Sequence, residues 1–96
     1  MAEREEKLGA QVTSGREAKD LWEHPLLQGA LAARRQSSVD LLARDGLTDD
    51  DLRRIYAGHK AQVGLESFLR KVIKDGEDAA TLLDAELKHK KQSGQG

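Results

Sequence analysis

The sequence predicts an all-α protein: an antiparallel hairpin of two long helices, a short C-terminal helix, and polar mobile arms. Three observations lead there. Aromatic residues make up only 3% of the chain, and Leu, Ala, Val and Ile carry its apolar content, a mixture better suited to packed helices than to a sheet. Apolar residues recur at spacings of three and four, with no alternating stretch of the kind a half-buried strand needs. Asp-Gly pairs at Asp45-Gly46 and Asp75-Gly76 punctuate the pattern where helices are expected to stop.

The N-terminal stretch Met1 to Gly15 mixes charge with Gly, Ser and Thr and holds only Leu8 and Val12 as large apolar residues. It reads as a mobile arm. Residues 16–91 then form the helical domain, and Gln92 to Gly96 a disordered tail. A short first helix is expected over Arg16 to Glu23. Pro25 suits a first helical turn and disrupts a later one, so a new helix should begin at about His24 or Pro25 and run to about Asp45. On a helical wheel Leu26, Leu27, Ala30, Leu31, Leu41 and Leu42 share one arc. Gly46 is the expected left-handed cap.

Thr48 is a good N-cap for the next helix, with Asp51 in a capping-box position, and Asp49, Asp50 and Asp51 place negative charge at the positive end of the helix dipole. This helix should reach Asp75, roughly 40 Å at 1.5 Å per residue. The short link at Gly46 to Thr48 implies that it folds back on its predecessor. After Gly76, Ala79, Leu82, Leu83 and Leu87 mark one face of the shorter last helix.

The long helix has two apolar faces. Leu52, Ile55, Tyr56, His59 and Val63 lie on one, expected against the preceding helix. Leu65, Phe68, Leu69, Val72 and Ile73 lie on another, rotated by roughly 130°. Ala57, Gly58 and Ala61 extend the second face with small residues. Gly58 and Gly64 each weaken a helix by ~1 kcal/mol relative to alanine. Close approach of another helix, a kink, and simple tolerance each account for them, and close approach is expected at Gly58. The second face should then meet the C-terminal helix, the Trp22 segment, or a neighbouring copy. Its candidate partner-binding residues are Arg34, Ala57, Gly58, Ala61, Leu65, Phe68, Leu69 and Val72. Arg34 falls near the centre of its helix's apolar arc, where it either snorkels to the edge or meets a carboxylate, of this chain or of another subunit.

Little points to catalysis. The chain has no cysteine, which excludes disulfides, thiolate metal sites and cysteine nucleophiles. His24, His59 and His89 have no ligand spacing, and three consecutive aspartates after Thr48 fit helix capping better than a calcium loop. No phosphate loop, dinucleotide fingerprint or nucleophile elbow is present. No catalytic residue, metal or cofactor is therefore expected. The net charge of −1 gives no global field for nucleic acid. Lys88, Lys90 and Lys91 form a local basic cluster that could touch phosphates, a contact that is not favoured. The charged N-terminus does not read as a secretory signal, and no apolar run approaches a membrane span, so a soluble protein in the cytoplasm of its host is expected.

The stretch from Leu21 to Ala80, with its "HP" before the first long helix, an Arg-x-x-Tyr/Leu-type opening to the second and the "IKDG" close, resembles small helical proteins encoded among tailed-bacteriophage structural genes. The resemblance implies a non-enzymatic role in virion structure or assembly, with the chain itself or phage capsid, portal or tail proteins as partners. The competing expectation is a nucleic-acid-handling adaptor, such as a small terminase-like oligomer presenting basic tails; no helix-turn-helix reader supports it.

Overall fold

In a computed structural model the backbone of residues 2–94 and the side chains of residues 3–90 are described. The described residues form three helices and no strand: α1 (Ala2–Glu23), α2 (Pro25–Leu42) and α3 (Asp49–Gly94). The all-α class is as the sequence predicts. Two boundaries are not. The segment read as an N-terminal arm is helical from Ala2 and buries Leu8 and Gly15. The separate C-terminal helix does not exist either, because α3 continues without interruption through Asp75-Gly76. Of the expected tail, Gln92 to Gly94 belong to α3, and Gln95 and Gly96 lie outside the described residues, as does Met1 of the arm.

The contacts divide the chain into two units. One comprises α1 up to Asp20 with α3 from Leu69 onward. Its seam is a run of small and mixed residues: Leu8, Gln11, Gly15 and Ala18 on α1, and Leu69, Val72, Gly76, Ala79, Leu83 and Glu86 on α3, all buried or half-buried. Both runs alternate spacings of three and four, the 3.5-residue period of a coiled coil. The helices run antiparallel: Gly15 meets Gly76, Arg4 pairs with Glu86 at 3.1 Å, and Lys90 pairs with Glu5.

At that crossing the backbones touch. A Cβ built on Gly15 would stand 2.7 Å from the Gly76 Cα and 3.3 Å from the Val72 carbonyl oxygen. One built on Gly76 would stand 2.7 Å from the Gly15 Cα and 3.0 Å from the Gln11 carbonyl oxygen. Glycine is therefore required at both positions, because only a residue without Cβ lets two backbones come so close. The sequence reading placed the close approach at Gly58. Within the chain that is corrected: a Cβ on Gly58 would have only the Arg34 Nη2 at 4.0 Å, and one on Gly64 would meet nothing within 4 Å. Gly76, read as a helix stop, is a packing residue instead.

The second unit runs from Leu21 to Phe68 and contains the end of α1, α2, the link and the first part of α3. The break before α2 follows from Pro25, which supplies no N–H and sits at the first helical position. His24 takes the extended conformation that a following proline enforces, and its Nδ1 accepts a hydrogen bond from the Leu26 N–H at 3.1 Å. The Gln28 side-chain amide donates to the Trp22 carbonyl at 2.5 Å, satisfying a carbonyl at the end of α1. α2 ends at Leu42, earlier than Asp45, with Ala43 as its C-cap. Gly46 has φ +74°, the left-handed conformation expected of the Asp-Gly turn.

Thr48 and Asp51 form a reciprocal capping box at the start of α3. The Thr48 N–H donates to Asp51 Oδ2 at 3.0 Å, and the Asp51 N–H donates to Thr48 Oγ1 at 3.1 Å. The Thr48 backbone hydrogen bond, then its hydroxyl, hold the Asp51 carboxyl below its ordinary value of 3.8, with Arg54 adding a smaller favourable charge.

Candidate interaction surfaces

Where α2 meets α3 the interface is partly polar. Leu31 is the buried residue of α2. Opposite it stand Gln62 and Glu66, both buried. The Gln62 amide donates to the Leu31 carbonyl at 3.0 Å, and Glu66 pairs with Arg35. Each buried polar group thus has a partner, and among the described residues no buried side-chain nitrogen or oxygen lacks one. Arg34, expected either to snorkel to the edge or to meet a carboxylate, is exposed, and the carboxylate contact within the chain is made by its neighbour Arg35.

This polar seam displaces the apolar residues to its side. α2 was expected to cover Leu52, Ile55, Tyr56, His59 and Val63. Ile55 is half-buried, but Leu52 keeps 43% of its surface, Tyr56 64% and Val63 43%. The gap between them and α2 is a groove of about 470 Å³, lined by Val39, Leu42, Leu52, Ile55, Tyr56 and His59, with Arg35 and Ser38 beside them. Its lining is almost wholly apolar. A groove of this size falls in the range of small-molecule sites, but such sites fix their ligand with a few convergent polar groups, and here the polar groups of Arg35, Ser38, Tyr56 and His59 contribute almost nothing to the lining surface.

The second predicted face divides. Leu69 is buried and Val72 half-buried, both in the seam with α1, so neither is open to a partner. Leu65, Phe68, Ala57 and Ala61 are exposed, and Gly58 is half-buried. Their 4, 4 and 3 spacing from Ala57 to Phe68 places these four on one open stripe of α3.

The remaining chemical groups do not converge. His24 caps a helix, His59 lines the groove, and His89 is exposed near Arg4 and Lys90. No group of three potential metal ligands exists among the described residues. Of the basic cluster, Lys88 is paired with Asp84 at 3.1 Å and Lys90 with Glu5; the Lys91 side chain lies outside those described. No described helix is long and apolar enough to cross a membrane. The exposed groove is not foreseen by the sequence: its α3 residues are those expected to lie against α2, and nothing in the pattern says that Gln62 and Glu66 take the buried position instead. No protein-family model, curated protein or solved structure matches this chain.

Proposed function

We propose that the protein is a non-catalytic helical assembly protein that self-associates or docks on a larger complex. The observation that carries this is the distribution of large apolar side chains. Eleven are exposed among the described residues, whereas the buried ones are Leu8, Leu31 and Leu69. Scattered apolar residues are ordinary on any surface, but contiguous groups rimmed by polar residues mark contact sites. Here Val39, Leu42, Leu52 and Tyr56 gather in the groove beside α2, and Leu65 and Phe68 lie on the stripe along α3. A helix pair buries one face of each helix, and a partner supplies the layer that covers the rest. The α2–α3 hairpin is, in this reading, half of a larger helical bundle. The phage virion setting rests on the resemblance of Leu21 to Ala80 to structural-gene products, and capsid, portal or tail proteins are the partners it implies.

Sedimentation velocity tests the reading. Against a chain mass of 10.6 kDa, the expected result is a species of at least twice that mass at micromolar concentration. A chain that remains monomeric at ~100 µM and co-sediments with no capsid, portal or tail protein refutes it.

A further inference from the structure

We infer that the groove between α2 and α3 is the seat of a second copy of this chain, in a two-fold arrangement that lays α2 of each copy over α3 of the other. This rests on the self-association half of the proposed function and names its surface and geometry.

The area is adequate. Val39, Leu42, Leu52 and Tyr56, which line the groove, and Val63, one turn beyond His59, are between 43% and 64% exposed. Together they leave on the order of 500 Å² uncovered, and the adjoining Ile55, His59 and flanking polar residues extend this toward the ~800 Å² per partner of a stable interface. Two such hairpins stacked groove to groove make a four-helix bundle, in which each apolar stripe is covered on both flanks. Tyr56 suits the centre of this contact: its ring supplies the largest apolar area and its hydroxyl can remain at the wet edge.

The charges choose the arrangement. The two helices are antiparallel, with Leu31 level with Gln62. Nine residues along each helix in the appropriate direction, Asp40 is therefore level with Arg53. Helical geometry puts each on the outer flank of its own helix, one residue beyond Val39 and Leu52 respectively. Both are exposed; Asp40 accepts a hydrogen bond from the Gln36 side-chain amide at 2.8 Å, and Arg53 has a loose contact with Asp50 at 3.9 Å. A two-fold axis parallel to the helices brings Asp40 of one copy beside Arg53 of the other, on both flanks. An axis perpendicular to the helices instead stacks α2 on α2 and α3 on α3, and gathers Asp40 with Asp40 and Arg53 with Arg53. Complementary charge fixes orientation, and like-charge contact disfavours the alternative. The near-zero net charge adds no general repulsion between copies.

The chain's lack of cysteine makes the test direct. One full-length chain carries Asp40→Cys, another Arg53→Cys; they are mixed and treated with a short bismaleimide, and the products are sized. The expected result is a mixed covalent dimer in large excess over either homotypic product. In sedimentation, Val39→Glu and Tyr56→Glu should each weaken the dimer by about 100-fold or more, as buried hot-spot residues do. A wild-type chain that is monomeric at ~100 µM overturns self-association and this proposal with it, and leaves the groove to a partner of different sequence. A wild-type dimer indifferent to both glutamate variants overturns the groove alone and leaves self-association standing. Homotypic products in excess overturn the α2-over-α3 alignment.

Discussion

Gly76→Ala separates packing from propensity in a single measurement. In a helix interior the change from glycine to alanine is worth ~1 kcal/mol in favour of the folded state. At Gly76 the new methyl carbon would lie 2.7 Å from the Gly15 Cα and 3.0 Å from the Gln11 carbonyl oxygen. These are backbone atoms, so no rotamer change relieves the overlap and α1 must move away by about 1 Å. Overpacking of this kind costs ~1–3 kcal/mol, and the neighbouring seam contacts are loosened as well. The net expectation is a loss of ~1–2 kcal/mol, or a fall in Tm of roughly 5–10 °C for a chain of this size. Gly64→Ala is the control, because its Cβ meets nothing; it should raise Tm by roughly 4–8 °C. Thermal unfolding by circular dichroism at a fixed protein concentration reads both. Gly15→Ala should resemble Gly76→Ala, and the double variant should lose less than the two single losses added, since helices already forced apart admit the second methyl more easily. Equal and positive shifts for Gly76→Ala and Gly64→Ala would show that α1 and α3 do not cross closely there.

Three further outcomes are expected. Arg35→Ala leaves the buried Glu66 carboxylate without its cation and should destabilise by ~1–3 kcal/mol in denaturant unfolding, while Glu66→Leu, which removes the charge and keeps the volume, should cost less; the reverse order would refute the pairing. Asp51 has a lowered folded-state pKa, so its contribution is complete above the ordinary carboxyl value of 3.8 and is lost as pH falls through the lowered value; Asp51→Asn should therefore lower Tm at pH 7, with the difference from wild type shrinking in acid, and a pH-independent difference would count against the capping box. Gly46→Ala must hold a Cβ at φ +74° and should lower stability by ~1 kcal/mol, whereas an unchanged Tm would mean that the turn relaxes to negative φ.

The parts of the fold legible in sequence are those set by local chemistry. Pro25 marked the start of α2, Asp45-Gly46 the turn, and Thr48 with Asp51 the start of α3, because proline, glycine and hydroxyl or carboxylate caps act on the few residues around them. The seam of the first unit was not legible as a core. Gln11, Gly15, Ala18, Gly76 and Ala79 repeat at the coiled-coil period, but small and polar side chains leave no hydrophobic signal, and the same composition marks a mobile arm. Gly76 after Asp75 has the form of a helix stop; tertiary contact with Gly15 overrides it. Of the residues picked out for a partner, Leu65 and Phe68 are exposed, whereas Leu69 and Val72 belong to the seam; the groove was not legible, because the choice of Gln62 and Glu66 as the residues facing α2 depends on partners far away in the sequence.

The buried Gln62 and Glu66 have a consequence for alignment. An apolar helix pair can slide by one turn, about 5.4 Å, and still cover most of its surface. α2 and α3 cannot do so without loss. A slip of that size would take the Gln62 amide away from the Leu31 carbonyl and separate Glu66 from Arg35 while both side chains stayed covered. The slipped state would hold an unsatisfied amide and an unpaired carboxylate, each costing ~1–3 kcal/mol or more, so neighbouring registers are penalised even where apolar contact is similar. Two polar residues in a thin interface thus act as a key that admits one register. They contribute little to how tightly the helices hold and much to where they stop, and they thereby place Val39 and Leu42 opposite Leu52 and Tyr56 along the groove.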